Sequence, residues 1–212
     1  MRIVKMVPFC KALIFDMDGT LYTNREYGQF QEDSQVRRLA QHLNISYEEA
    51  ASRLEISRKT RKTSMGQHFL SFGISMKDIV RWREEEIEPA QWLSPDPALE
   101  FALSSLSKYF RLALLTNNPR LVGYKTLEAL GVRHCFEAVV GLDDTGCSKP
   151  AFEPFRKILD TLGLAAGECV SIGDRFDVDI EPALALGMGA ILVEGVEDIY
   201  TLPKFLNSAA IA

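Results

Sequence analysis

The sequence predicts an α/β fold, a parallel sheet with helices on both faces. Short apolar runs end abruptly in polar clusters, as in strands buried on both faces. Segments with helical apolar spacing lie between these runs, and several stop at glycine. Strands alternating with helices imply a parallel sheet. A third observation sets residues 21–94 apart, since helical patterns occur there without a convincing strand.

In order along the chain, Lys11-Ala12-Leu13-Ile14-Phe15 is the first strand, ending in Asp16-Met17-Asp18-Gly19-Thr20. Within 21–94, residues 35–43 read as a helix. Ser46 and Glu49 form a capping box for a second helix through about residue 58, and residues 75–86 carry Ile79 and Trp82 on one side of another. Pro95 and Pro97 mark the return to the sheet region. Residues 97–108 read as a helix through Leu99, Leu103 and Leu106. Residues 111–115 are the second strand, ending in Thr116-Asn117-Asn118-Pro119. Residues 120–130 are helical and stop at Gly131, and 138–140 are a short strand before Gly141. Pro150 fits the first position of a helix through Leu162, which stops at Gly163. Residues 168–172 are a strand running into Gly173-Asp174-Arg175, a short helix over 180–186 follows, and 190–193 is the last strand. The expected division is a core of residues 1–20 and 95–212 with an all-helical insertion of residues 21–94.

Composition agrees with a globular chain. The 212 residues are 47% hydrophobic and 25% charged, with a net charge of −5. That is enough apolar mass for a core and too acidic a balance for a typical nucleic-acid binder. No apolar run reaches the ~18 residues of a membrane helix, and no signal-peptide pattern opens the chain. The expectation is a cytoplasmic protein, monomeric or homodimeric, with no membrane or nucleic-acid partner. Cys10, Cys135, Cys147 and Cys169 lack the tight spacing of a zinc site and are expected to be reduced thiols.

Every polar cluster follows the carboxyl end of a strand, where ligands bind in open parallel sheets. Asp16 and Asp18 lie two apart at such an end. Carboxylates held beside an apolar strand call for compensation by a divalent cation, and a carboxylate can also act as nucleophile or general acid. Asp174, Asp177 and Asp179 form a second acidic cluster suited to Mg²⁺, with Asp179 equally placed to cap the helix from residue 180. Thr116 and the N–H of Asn117 suit a phosphate oxygen, and Lys149 suits an anionic group.

Taken in order, these pieces resemble the haloacid dehalogenase-like hydrolase superfamily. Phe15-Asp16-Met17-Asp18-Gly19-Thr20-Leu21 resembles its first motif and Leu115-Thr116-Asn117 its second. Ser148-Lys149-Pro150 resembles its third, and the stretch from Gly173-Asp174 to Asp179 its fourth. The resemblance spans roughly residues 11–195 and leans toward the phosphoglycolate phosphatase and nucleotidase-like branch.

It implies a three-layer Rossmann-like core with a type-one helical cap inserted after the first motif. It also implies Mg²⁺-dependent hydrolysis of a small phosphorylated metabolite, of phosphoglycolate or nucleotide type. Asp16 would be the nucleophile, forming an aspartyl-phosphate, and Asp18 the acid and base. Thr116, Asn117 and Lys149 would hold the phosphoryl group. Asp16, Asp18 (through its carbonyl) and Asp174 would bind the metal, with Asp179 acting through water or outer contacts. An acid at position 18 disfavours dehalogenation.

Arg175 stands where many relatives have a small polar residue, and is expected at solvent or beside Asp177. Tyr22, Asn24 and Arg25 follow the first motif closely and are expected near the substrate. Arg53, Arg58, Lys59, Arg61 and Lys62 form a basic stretch, read as a solvated helix face. His68 and Phe69 are expected between cap helices. The hinges would lie near 21–24 and 93–97. The alternatives are a sugar-phosphate phosphomutase built on the same core, or a catalytically silent binding protein.

Overall fold

The computed structural model describes residues 1–60 and 65–209, with side chains through Leu206 at that end. Six strands form one sheet in the order β1-β6-β5-β2-β3-β4. They are β1 (Arg2–Lys5), β2 (Ala12–Phe15), β3 (Arg111–Leu115), β4 (Ala138–Val140), β5 (Cys169–Gly173) and β6 (Gly189–Leu192). All neighbours are parallel except β1, which runs antiparallel to β6 along the edge. The five parallel strands fall where the sequence puts them. β1 was not expected, because a four-residue edge strand that is mostly exposed has no apolar run to announce it.

The period of two sorts the strand residues between the faces. Leu13, Phe15, Leu112, Leu114, Val170 and Ile172 share one core with α5 (Pro97–Leu106), α6 (Arg120–Ala129) and α10 (Val196–Ala209). Ala12, Ile14, Ala113 and Leu115 face α8 (Phe152–Leu162) and α9 (Glu181–Ala185) on the other side. Each layer buries apolar surface worth roughly 25 cal/mol per Å² against extended chain. The three-layer α/β architecture is therefore the predicted one. Pro150 departs from its expected position. The helix starts at Phe152, and Pro150 lies in the turn before it, joined to Lys149 by a cis peptide bond.

Between β2 and α5 the described chain holds four α-helices and a short 3₁₀ turn, Pro89–Gln91. They are α1 (Arg25–Leu43), α2 (Tyr47–Thr60), α3 (Met65–Ser71) and α4 (Met76–Glu86). Val36, Leu39, Leu54, Phe69 and Ile79 pack into a third apolar cluster that also takes in Leu142. α1 begins ten residues before the expected helix, capped by Asn24, whose Oδ1 accepts from the Tyr27 N–H at 2.9 Å. His68 and Phe69 lie on α3 rather than between helices, both buried. The sequence also leaves unannounced α7 (Leu142–Thr145), one turn bounded by Gly141 and Gly146, and α10, which carries Pro203 in its interior.

The four cysteines are unpaired. Among the described residues, no helix is long and apolar enough to cross a membrane.

Candidate active site

The chain leaves β2 into the site through a tight turn. The Asp16 N–H donates to the Ile172 carbonyl at 2.8 Å, which continues the β2–β5 pairing one residue past the strand. Gly19 then adopts φ +80°, and an added Cβ there would fall 2.5 Å from an Asp174 oxygen. Only glycine admits both the left-handed backbone and that approach. Beyond β5, Phe176–Ile180 form a π-helical turn, tied to the strand by the Ser171 hydroxyl donating to the Asp179 carbonyl at 2.9 Å. Such turns re-aim side chains at functional positions.

These two turns bring three carboxylates together. Oxygens of Asp16, Asp174 and Asp179 lie within 4.8 Å of one another. Lys149 reaches them from before α8, with Nζ 2.6 Å from Asp16 Oδ1 and 2.5 Å from Asp179 Oδ1. Lys149, Asp16 and Asp179 are 2%, 5% and 1% exposed. Burial would lower the lysine's pKa, but Asp16 and Asp179 outweigh it and hold the ammonium protonated. Asn117 fixes Lys149 by its backbone. Its Oδ1 accepts from the Lys149 N–H at 2.8 Å, and its Nδ2 donates to the Lys149 carbonyl at 3.1 Å. The Thr116 hydroxyl accepts from the Asn118 N–H at 3.1 Å, so its own hydrogen remains to donate.

A divalent cation fits this donor set. Oxygen ligands suit Mg²⁺, and Asp174 Oδ1 is buried without a hydrogen-bond partner among the described residues. Asp174 is raised to about 7, first by burial and then by the charges of Asp16 and Asp179, with Arg175 opposing. Burial also pushes Asp179 upward. Lys149 pulls against that push, and Asp16 adds to it. Asp179 is thus part of the cluster rather than a cap on α9, and Asp177 lines the cleft outside the cluster.

The Asp18 carboxylate turns away from the other three. Its Oδ1 accepts from the Tyr22 hydroxyl and, at 3.2 Å, from Gln31 Nε2, while its Oδ2 accepts from Asn118 Nδ2 at 2.8 Å. Burial raises its pKa, and the charge of Asp16 adds to the rise. Hydrogen bonds from Tyr22 and Gln31, and the Arg83 charge, oppose it. The balance is upward, so Asp18 keeps its proton to a higher pH than a free carboxyl does.

A cleft of about 960 Å³ opens over these groups. Gln31, Arg58, Arg83, Asn118 and Arg175 line it, whereas Tyr22, Asn24 and Arg25 do not. Tyr22 is buried beneath it, bonded to Asp18. Asn24 is occupied by the α1 cap and the Trp92 carbonyl. Arg175 approaches Asp174, at 4.0 Å, rather than Asp177. Arg58 pairs with Glu32, Arg53 with Glu49 and Lys59 with Glu55, while Arg61 and Lys62 lie outside the described residues.

Gln31, Arg83 and Asn118 were not singled out from the sequence. Asn118 lies next to Asn117 but acts on Asp18, 100 residues away in the chain. For Arg83 a signal existed. It sits one helical turn from Ile79 and therefore shares its buried face, an unusual place for a charge.

The fold and the convergence of these motifs define a class, and sequence comparison agrees with it. The haloacid dehalogenase-like hydrolase family matches residues 10–187. The chain belongs to that family, and within it is a phosphatase. It is 30% identical over 190 residues to a glyceraldehyde 3-phosphate phosphatase of Methanocaldococcus jannaschii, covering 84% of this chain and 82% of that one. It is 27% identical over 195 residues to a phosphoglycolate phosphatase of Rhodospirillum rubrum, covering 86% and 79%. Among solved structures it resembles a HAD phosphatase from Thermococcus onnurineus, with TM-score 0.64 and 25% identity over 92% of this chain and 97% of that one.

Proposed function

We propose that this phosphatase hydrolyses a small phosphate monoester through an aspartyl-phosphate on Asp16, with Mg²⁺ as its cation. One observation carries the proposal: Lys149 is bonded to both Asp16 and Asp179 inside a carboxylate cluster that includes an Asp174 oxygen with no hydrogen bond among the described residues. An Asp16 oxygen attacks phosphorus as the bond to the ester oxygen breaks. Asp18 gives its proton to that leaving oxygen, consistent with its raised pKa. Water then attacks the aspartyl-phosphate, Asp18 takes its proton, and Asp16 is restored as phosphate leaves. The Thr116 hydroxyl and the Asn117 N–H donate to the phosphoryl oxygens, and Lys149 balances their charge.

Asp16, Asp174 and the Asp18 carbonyl would hold the cation, with Asp179 acting through water. When bound it neutralises charge on the transferring group. We also assign residues 21–94 as a cap on a core of residues 1–20 and 95–212, closing about 21–24 and 93–97 to exclude water. The apolar cluster drawn mostly from α1–α4 supports that division, with Leu142 joining it from the core side and Tyr27 and Ile87 packing into the sheet cluster. The relatives that match over most of the chain are named as glyceraldehyde 3-phosphate and phosphoglycolate phosphatases, which supports a substrate of two or three carbons; N-acylneuraminate-9-phosphatases match over less than half of it.

Phosphate release from a panel of monoesters tests the mechanism. Turnover should require Mg²⁺, vanish in EDTA, and fall by about a thousandfold or more in Asp16→Asn. Undiminished turnover by Asp16→Asn would overturn it.

A further inference from the structure

Four cationic side chains line the cleft among the described residues. Three face acids: Lys149 bonds Asp16 and Asp179, Arg58 pairs with Glu32 at 2.5 Å, and Arg175 stands 4.0 Å from Asp174. Arg83 differs. It is 8% exposed and makes no ion pair among the described residues. Nη1 donates to the Asn117 carbonyl at 2.7 Å and to Asn118 Oδ1 at 3.2 Å, and Nη2 donates to Gln35 Oε1 at 2.8 Å. These three partners are neutral dipoles. They orient the guanidinium, the Asp18 carboxylate acts on its charge only from across Asn118, and among the described residues Nε has no hydrogen-bond partner. A buried charge is costly unless paired, and an arginine stays charged.

The position narrows what would pair with it. Asn118 donates to Asp18 and accepts from Arg83, so a single side-chain amide separates the guanidinium from the proposed leaving-group acid. An anion meeting Arg83 therefore belongs to the leaving group, within a few bonds of the ester oxygen. A carboxylate matches the planar donor fork.

We propose that Arg83 is a specificity-determining residue that pairs with a carboxylate on the leaving group, making the preferred substrate a phosphorylated two- or three-carbon hydroxy acid. This rests on the phosphatase reading and deepens it. Arg83 lies on α4, within the helical segment, so the chemistry of the core and the choice of substrate come from different parts of the chain.

The test compares kcat/KM of the Mg²⁺-loaded enzyme for phosphoglycolate, phosphoglycolamide, ethyl phosphate and ethylene glycol bisphosphate. In the wild type, phosphoglycolate should exceed the amide and ethyl phosphate by about 10- to 100-fold. In Arg83→Gln and Arg83→Lys the ratio is read within each variant, so that general damage cancels. Gln should bring it to within a few-fold of unity, and Lys should restore part of it. A wild-type ratio near unity overturns the proposal without any variant having to fold. So does an undiminished ratio in Arg83→Gln, or a preference for the bisphosphate. Hydrolysis of ethyl phosphate without carboxylate preference sinks this inference alone, whereas no hydrolysis of any ester sinks the phosphatase mechanism beneath it.

Discussion

At the scale of single residues, the site is a charge balance in which one ammonium faces three carboxylates. Lys149→Met removes the ammonium that hydrogen-bonds both Asp16 and Asp179. Stability should fall by about 3–5 kcal/mol in chelator, as when a buried pair is broken. Added Mg²⁺ should recover part of it, read as urea midpoints with and without the ion. Acidity follows from the same crowding. Asp174 binds its proton more tightly when folded, at about 7, than at its ordinary value of 3.8. That contribution is fully present below about pH 4 and is lost as pH rises through about 7. In EDTA, the melting temperature should therefore decline from pH 5 to pH 8. Mg²⁺ should flatten the decline, and a rise with pH in EDTA would contradict this assignment. Asp16, Asp18, Thr116, Asn117 and Asp174 drew attention in the sequence because each lies at or just beyond the carboxyl end of an apolar run, Lys149 because it precedes a helix, and Asp179 because it closes the acidic stretch after the fourth run. Gln31 and Arg83 enter the cleft from α1 and α4; the charge of Arg83 on the buried face of Ile79 is a local signal of burial, but neither residue's surroundings in the chain mark its reach to the site.

At the scale of elements, two glycines set how closely the site's turns can approach. A Cβ on Gly173 would lie 2.4 Å from the Cβ of Asp179, at the junction of β5 and the π-helical turn. Gly173→Ala must push that turn outward, costing about 1–3 kcal/mol. It should reduce turnover far more than it alters the circular dichroism of the sheet. Equal loss of both would mean that the strand itself had failed. The strands were legible because both faces are buried, which leaves continuous apolar runs. The segments that escaped are those whose burial is one-sided or brief. β1 exposes most of its residues on the edge, and α7 is a single turn between glycines. The Pro150 turn escaped for another reason, since proline before a helix reads the same whether it begins the helix or precedes it.

At the scale of the whole molecule, the buried apolar residues fall into three clusters, two against the sheet and one among α1–α4 that Leu142 of α7 joins. Leu54→Ala should cost about 2–5 kcal/mol within the helical cluster. Amide exchange should quicken across α1–α4 while β2 and β5 keep their protection, and uniform acceleration would show a single cooperative unit. β2 and β3 lie side by side in register, from Ala12 opposite Arg111 to Phe15 opposite Leu114, so the chain leaves and re-enters the sheet between neighbours. An insertion at that seam leaves strand pairing untouched, and on those grounds the helices look exchangeable for a foreign set. Gln31 argues otherwise. It is borne on α1 yet donates to Asp18, so a transplant would carry away one of the hydrogen bonds that aim the core's own acid. Grafting a new helical segment would therefore succeed only if the donor brought its own side chain to that carboxylate.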